Sequence, residues 1–212
     1  MIRVLVADDH AIVREGLANV LSSKGDIQVV AQAASGAEAL QRMRDTAVDV
    51  VLLDMTMPAM SGIETLKQIK AERPALPVLM FSMHPEEQYA VRCVKAGAAG
   101  YLTKACEKSV LLEAVRCAAA GKQYLTQTVG DCLLQAVQQP EQGKEIHQML
   151  SDREYDVFRQ IAQGISLADM ATRMNLSPKT VSTYRARVLE KTGLSSNAEI
   201  MRYAFDRGLV HP

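Results

Sequence analysis

The chain has 212 residues and a mass of 23.2 kDa, enough for one large domain or two ordinary ones, and its 24 Lys+Arg offset its 24 Asp+Glu, so whole-chain charge points to no partner. Aromatic residues make up 4% and tryptophan is absent, which leaves aliphatic, methionine-rich cores. No apolar run approaches the roughly 18 residues of a membrane span, the acidic start MIRVLVADDH is no signal peptide, and Cys93, Cys106, Cys117 and Cys132 lack ligand-like spacing; the reading is cytoplasmic, with no membrane partner, no disulfide framework and no structural zinc.

The first 120 residues alternate between strand and helix patterns. IRVLVAD (2–8) reads as a strand ending in acids, followed by a helix with Val13, Leu17, Val20 and Leu21 at helical spacing. IQVVAQA (27–33) is a second strand, and 36–44 a helix carrying Ala39, Leu40 and Met43. VDVVLLD (48–54) is apolar almost throughout, as suits a strand covered on both faces. Ser61 caps a helix with Ile63, Leu66 and Ile69 on one side, stopped by Pro74. PVLMFS (77–82) is the fourth strand, and 85–96 a helix ended by Gly97. AGYLTK (99–104) is the fifth strand, and 108–120 a helix ended by Gly121. Five βα units imply an α/β fold: a doubly wound five-stranded parallel sheet with helices on both faces.

The pattern changes after Gly121. Residues 122–148 are polar and Gln-rich around 138–143 and read as a linker, with one possible helix from Leu125 to Val137. From Ser151 onward the pattern is purely helical. Ser151 and Glu154 fit a capping box, and helices read as 152–163, 167–174, 178–191 and 196–207. Four short helices with tight turns predict a second, all-α domain over 149–212, of helix-turn-helix type.

The strand ends collect the chemistry. Strand one ends in Asp8-Asp9, strand three in Asp54, strand four in Ser82 and strand five in Lys104. Sites in such sheets form beyond the carboxyl ends of the strands, and a strand order 2-1-3-4-5 brings the three acids together. Clustered acids repel, and a divalent cation relieves them; hard oxygen donors suit Mg²⁺. The set suits phosphoryl transfer onto Asp54, with the metal and Lys104 neutralising the developing charge and Ser82 donating to the same anion.

In the second domain, 173–191 carries Arg173, Lys179, Arg185, Arg187 and Lys191 against Glu190 alone. Asn175 to Pro178 forms a turn, with Ser177 as N-cap and Pro178 at the first helical position. Val181, Tyr184, Val188 and Leu189 form the inward stripe, leaving Lys179, Thr180, Ser182, Thr183, Arg185, Ala186 and Arg187 outward. Cations meet phosphates and short side chains let a helix approach base edges, so this is a candidate major-groove helix.

On these residues the chain resembles two known modules. Residues 1–121 are similar to a bacterial response-regulator receiver domain of the CheY-like fold, through Asp8-Asp9, Asp54 in LLDMTMP, Gly62, Ser82, Tyr101 and Lys104. Residues 151–209 resemble the LuxR-type DNA-binding domain of the NarL/FixJ family, through LSDRE and LSPKTVSTYRARVLEK. The resemblance implies Asp54 as phosphoacceptor, and Mg²⁺ held by Asp9, Asp54 and the Thr56 carbonyl, with Asp8 acting through a metal-bound water. It implies Ser82 and Tyr101 as a switch pair, and Lys104 as the phosphoryl counter-charge. It implies a sensor histidine kinase as phosphodonor, promoter DNA and RNA polymerase as partners, and an activated homodimer. Lys179, Arg185, Arg187 and Lys191 are the expected phosphate contacts, and Ile200, Met201, Ala204 and Phe205 a candidate dimer face. Ala105 follows Lys104 where many receivers have proline, and Ser182, Tyr184 and Ala186 depart from the common recognition-helix pattern, so the bases read are not carried over. The chain is expected to be a regulator rather than an enzyme. A haloacid-dehalogenase-type phosphatase needs an acid where Thr56 stands, and no GxxxxGK or GxGxxG is present.

Overall fold

The structure, a computed structural model, describes residues 1–138 and 145–210. It divides into two compact units, Met1–Gln138 and Gln139–Pro212. Of the Gln-rich centre expected at 138–143, residues 139–143 lie outside the described residues.

The first unit holds strands β1 (Ile2–Ala7), β2 (Ile27–Ala33), β3 (Val50–Asp54), β4 (Val78–Ser82) and β5 (Gly100–Thr103). They form one parallel sheet in the order 2-1-3-4-5. Helices α1 (Ala11–Ser22), α2 (Gly36–Asp45), α3 (Gly62–Glu72), α4 (Glu86–Lys95) and α5 (Lys108–Ala119) connect the strands. β3 and β4 are buried at every position, which is why their sequences are apolar up to the terminal Asp54 and Ser82. Their burial is shared with Leu17, Leu21, Leu111, Leu112 and Val115 from α1 and α5. Apolar contact of this kind is the main favourable contribution to folding. Local signals set the helix ends: Ser61 and Glu64 close a capping box on α3, and Gly97 and Gly121, both at positive φ, follow α4 and α5.

A sixth helix, α6 (Gln127–Gln138), lies in the stretch read as linker and belongs to the first unit. It packs on α4 through Val129, fully buried, and the half-buried Cys132, Leu133 and Ala136. Those four positions are i, i+3, i+4 and i+7, an amphipathic stripe that the surrounding glutamines conceal in the composition. All described peptide bonds are trans, Lys104–Ala105 included.

The second unit is helical. A 3-10 turn (Ile146–Met149) precedes α7 (Asp152–Ala162), α8 (Leu167–Met174), α9 (Pro178–Thr192) and α10 (Asn197–Asp206). Ser151, Ser166, Ser177 and Ser196 each accept an amide hydrogen bond as N-caps, and Asn175 and Gly193 terminate α8 and α9 in the left-handed conformation. Tyr155, Phe158, Ile161, Met170, Val181, Val188, Ile200 and Ala204 make its core.

Candidate functional site

The parallel ladder places the ends of β1, β3, β4 and β5 along one edge of the sheet. β1 pairs with β3 from Val4↔Val50 to Ala7↔Leu53, so Asp8 emerges beside Asp54. β4 pairs Phe81 with Asp54, and β5 pairs Thr103 with Ser82, which brings Lys104 to the same end. Lys104 bridges the acids: its Nζ lies 2.6 Å from Asp8 Oδ2 and 3.1 Å from Asp54 Oδ2. Asp8, Asp54 and Ser82 are buried, while Asp9 faces outward.

The loop after β3 is shaped by one close approach. A Cβ on Gly62 would sit 2.2 Å from the Asp54 carbonyl oxygen and 2.7 Å from Met55 Cα. The Gly62 amide donates to the Met55 carbonyl at 2.8 Å. Glycine here lets the start of α3 press directly on the backbone that carries Asp54.

Three carboxylates and one ammonium leave a formal charge of −2 in the pocket, which a divalent cation neutralises. Ligand atoms of Asp8, Asp9, His10 and Asp54 all lie within 4.8 Å of one another. The carboxylates are the hard donors Mg²⁺ prefers, so the residues fit such an ion; the imidazole of His10 is not required for it. Burial pushes the Asp54 carboxyl up to about 6, against the pull of the Lys104 charge and with the Asp8 charge adding to the rise; the Thr56 amide donates to it. Burial alone would lower the Lys104 ammonium, but its hydrogen bond to Asp8 and the charge of Asp54 hold it above its ordinary value. A cavity of about 720 Å³ lined by Ile2, Val48, Arg73, Leu76 and Ala118 lies at the opposite end of the strands, away from this chemistry.

Two histidines that the pattern did not single out stand at the pocket. His10 Nδ1 lies 2.8 Å from Asp9 Oδ1 and 3.3 Å from Asp8 Oδ1. The His84 amide donates to Ser82 Oγ at 3.1 Å, and its carbonyl accepts from the buried Tyr101 hydroxyl at 2.9 Å. The His84 ring lies 5.1 Å from that of Tyr89 and 3.5 Å from Thr56 Oγ1. Ser82 and Tyr101 are thus joined through the backbone of His84, with the Tyr101 ring already inside. Their sequence signals are slight: one histidine follows the Asp pair, and the other stands two residues after Ser82.

In the second unit, α8 and α9 form the helix-turn-helix. On α9, Val181, Val188 and Thr192 are buried, and Tyr184 and Leu189 half-buried. Lys179, Ser182, Thr183, Ala186 and Arg187 share the exposed face; Thr180 and Arg185 are half-buried. Arg185 Nε donates to Asn197 Oδ1 at 2.7 Å. Lys191 lies 2.7 Å from Glu154, which is buried. Burial works against the Glu154 carboxylate, yet the hydrogen bonds from Lys191 and Ser151 keep it below the usual range. Lys191 therefore has an internal structural role that its place in the basic stretch did not reveal. The expected dimer face divides: Ile200 and Ala204 are core, and Met201 and Phe205 are exposed at 41% and 59%.

Comparison with known proteins agrees with both halves. The family described as the response regulator receiver domain matches residues 4–116, and that of bacterial regulatory proteins of the luxR family matches 148–204. The response regulator GacA of Pseudomonas viridiflava is 36% identical over 99% of this chain and 98% of its own length. The response regulator UvrY of Escherichia coli K12 is 33% identical over 100% and 97%. The crystal structure of response regulator ChrA, from a heme-sensing two-component system, matches with a TM-score of 0.53 at 32% identity, over 99% of this chain and 98% of that one.

Proposed function

The chain belongs to the two-component response regulators that join a receiver domain to a LuxR-type DNA-binding domain, and from that membership we propose that it is phosphorylated on Asp54 by a sensor histidine kinase and then acts as a dimer on promoter DNA. The observation that carries this reading is Lys104, which holds Asp8 and Asp54 together at the ends of β1, β3 and β5.

In the transfer, an Asp54 oxygen attacks phosphorus and the donor's phosphorus–nitrogen bond breaks, leaving the histidine with its nitrogen lone pair. Lys104 holds a positive charge beside the growing negative charge of the phosphoryl oxygens, and Ser82 offers them a hydroxyl donor. Asp9 and Asp54, with Asp8 and the Thr56 carbonyl, are the groups to hold Mg²⁺, which supplies charge neutralisation when bound. Tyr101 reports the state of Ser82 through His84. Asp54 lies among buried groups, so its reactive oxygen is reached from the Asp9 side, where the pocket opens to solvent.

On DNA, Lys179 and Arg187 contact phosphates, and Ser182, Thr183 and Ala186 face base edges. Arg185 is the third candidate phosphate contact, oriented by Asn197. One unit of this size covers a small footprint, so a dimer reading two half-sites supplies specificity. Met201 and Phe205 on α10 are the apolar surface for that contact. The setting is the cytoplasm, where kinase, promoter and RNA polymerase are present together; among the described residues no helix is long and apolar enough to cross a membrane.

The test is intact-mass measurement after incubation with acetyl phosphate and Mg²⁺. One phosphoryl group is expected on the wild-type chain and none on Asp54→Ala. Equal labelling of the variant refutes the assignment. A gel-shift comparison with a phosphoryl analogue then reads DNA binding, and equal affinity with and without it refutes activation by phosphorylation.

A further inference from the structure

The start of α6 is fastened to the start of α4. The Thr126 hydroxyl donates a short hydrogen bond to Glu86 Oε2, and the same oxygen accepts from the Val129 amide at 3.2 Å. Thr126 also accepts the first main-chain bond of the helix, from the Gly130 amide at 2.9 Å. Just before it, the Tyr124 amide donates to the Ala99 carbonyl at 2.7 Å, and Tyr124 bridges to Gly100 on the edge of β5. Gly100 has no space for a side chain, since a Cβ there would stand 2.5 Å from the Tyr124 carbonyl oxygen. The segment 124–126 is therefore docked on the sheet edge, and α6 begins from a fixed point.

Glu86 is the first residue of α4, and Pro85 before it makes no side-chain cap. The first turn of α4 thus lacks the usual anchor at a helix start. It continues directly from the loop that joins Ser82 to His84. Glu86 is at once the neighbour of that loop and the acceptor for the residue that caps α6. A rearrangement of residues 82–85 changes the position of Glu86, and a change at Glu86 removes a partner from the first turn of α6.

We infer that α6 is a latched arm, held on α4 while the Asp54 pocket is unmodified and released when a phosphoryl group occupies it. The inference rests on the proposed phosphorylation of Asp54. A Ser82 hydroxyl drawn toward a group on Asp54 deprives the His84 amide of its acceptor, and an amide left without a partner drives its loop to rearrange. The rest of the α6 contact is small: one fully buried residue, Val129, and three half-buried ones. An interface with so few buried apolar groups sits at the low-stability end, where local release is accessible. The arm runs to Gln138, immediately before residues 139–144, so its release changes the reach of the segment leading to the second unit.

Coupling of this kind is reciprocal: if occupation of the pocket loosens α6, loosening α6 favours occupation of the pocket by the same factor. The experiment is hydrogen exchange on the full-length chain with Mg²⁺, with and without beryllofluoride as the phosphoryl analogue. Occupancy is read independently from the fluorine resonance of the bound analogue. Exchange of amides 129–138 is expected to rise at least about tenfold when the analogue binds. Thr126→Val is expected to give that rise without analogue and to bind the analogue more tightly by a matching factor; Thr126→Ser, which keeps the hydroxyl, behaves as wild type. Glu86→Gln weakens the latch from the other side and is expected to shift exchange in the same direction. Bound analogue with unchanged or slowed exchange in α6 overturns the latch alone. Absence of both bound analogue and phosphoryl labelling in wild type overturns the proposed function, and the latch with it. Faster exchange in Thr126→Val without tighter analogue binding shows a merely structural hydrogen bond and also overturns the inference.

Discussion

Asp54 is expected to cost the fold stability, and replacing it should reveal how much. In the metal-free protein its carboxyl stands at about 6 rather than 3.8, burial being the largest cause. At about 1.36 kcal/mol for each pH unit, ionising this group in the folded state costs about 3 kcal/mol above pH 7. The sign follows from linkage. A raised carboxyl means the folded state holds the proton more tightly, so the ionisation cost grows as pH rises from about 4 to about 6 and is complete above that. Asp54→Asn removes the ionisable group and keeps a similar shape, and Lys104 retains Asp8 at 2.6 Å, so no buried ammonium is orphaned. With chelator at pH 7.5, Asp54→Asn should be more stable than wild type by up to about 3 kcal/mol. The gap should close as pH is lowered toward about 4. Mg²⁺ at about 100 times its dissociation constant should return about 2.7 kcal/mol to wild type and much less to the variant. Hydrogen exchange of the β1 and β3 amides reads this unit separately from the second. Equal stability at pH 7.5, or a gap that persists undiminished at low pH, would refute the account of a buried, strained carboxylate.

Gly62→Ala forces the new methyl against the Asp54 and Met55 backbone; a loss of about 1–3 kcal/mol is expected, with slower labelling by acetyl phosphate read by intact mass. Arg187→Ala and Lys179→Ala should each weaken binding to every DNA sequence and lower the salt slope by about one, measured by titration at several salt concentrations. Lys191→Ala should leave that slope unchanged and lower the denaturation midpoint of the second unit, because the buried Glu154 loses its counter-charge; the lysine is partly exposed, so a loss of about 1–2 kcal/mol is expected rather than the larger cost of a fully buried pair.

The fold was legible because its signals are local. Strands that run apolar to a terminal acid or hydroxyl, helices with four apolar positions on a face, and serine caps all repeat within a few residues. The sheet order then fixed which strand ends are neighbours, so Asp8, Asp54, Ser82 and Lys104 could be gathered without coordinates. The misplaced element is α6. Its apolar residues Val129, Cys132, Leu133 and Ala136 carry a helical period, but they are few, and the neighbouring glutamines gave the segment the composition of a linker. What the pattern lacked was the partner surface on α4, which lies about thirty to forty residues earlier in the chain.

The site residues that escaped the sequence share a cause: each depends on a pairing between distant positions. Lys191 looks like its neighbours in a basic stretch, and only Glu154, buried thirty-seven residues earlier, distinguishes it from Arg187. Arg185 is likewise set apart by Asn197 on the next helix. Ile200 and Ala204 looked equivalent to Met201 and Phe205 until the core of the second unit claimed one pair and left the other exposed. His84 follows no periodicity, and its importance comes from backbone atoms that any residue would supply. Periodicity identifies which face of an element is buried, but not which charge on the other face is already paired. On α9 that difference decides function: a cation paired internally pays for the fold, while one left exposed on the face of Ser182 and Thr183 remains available to a phosphate.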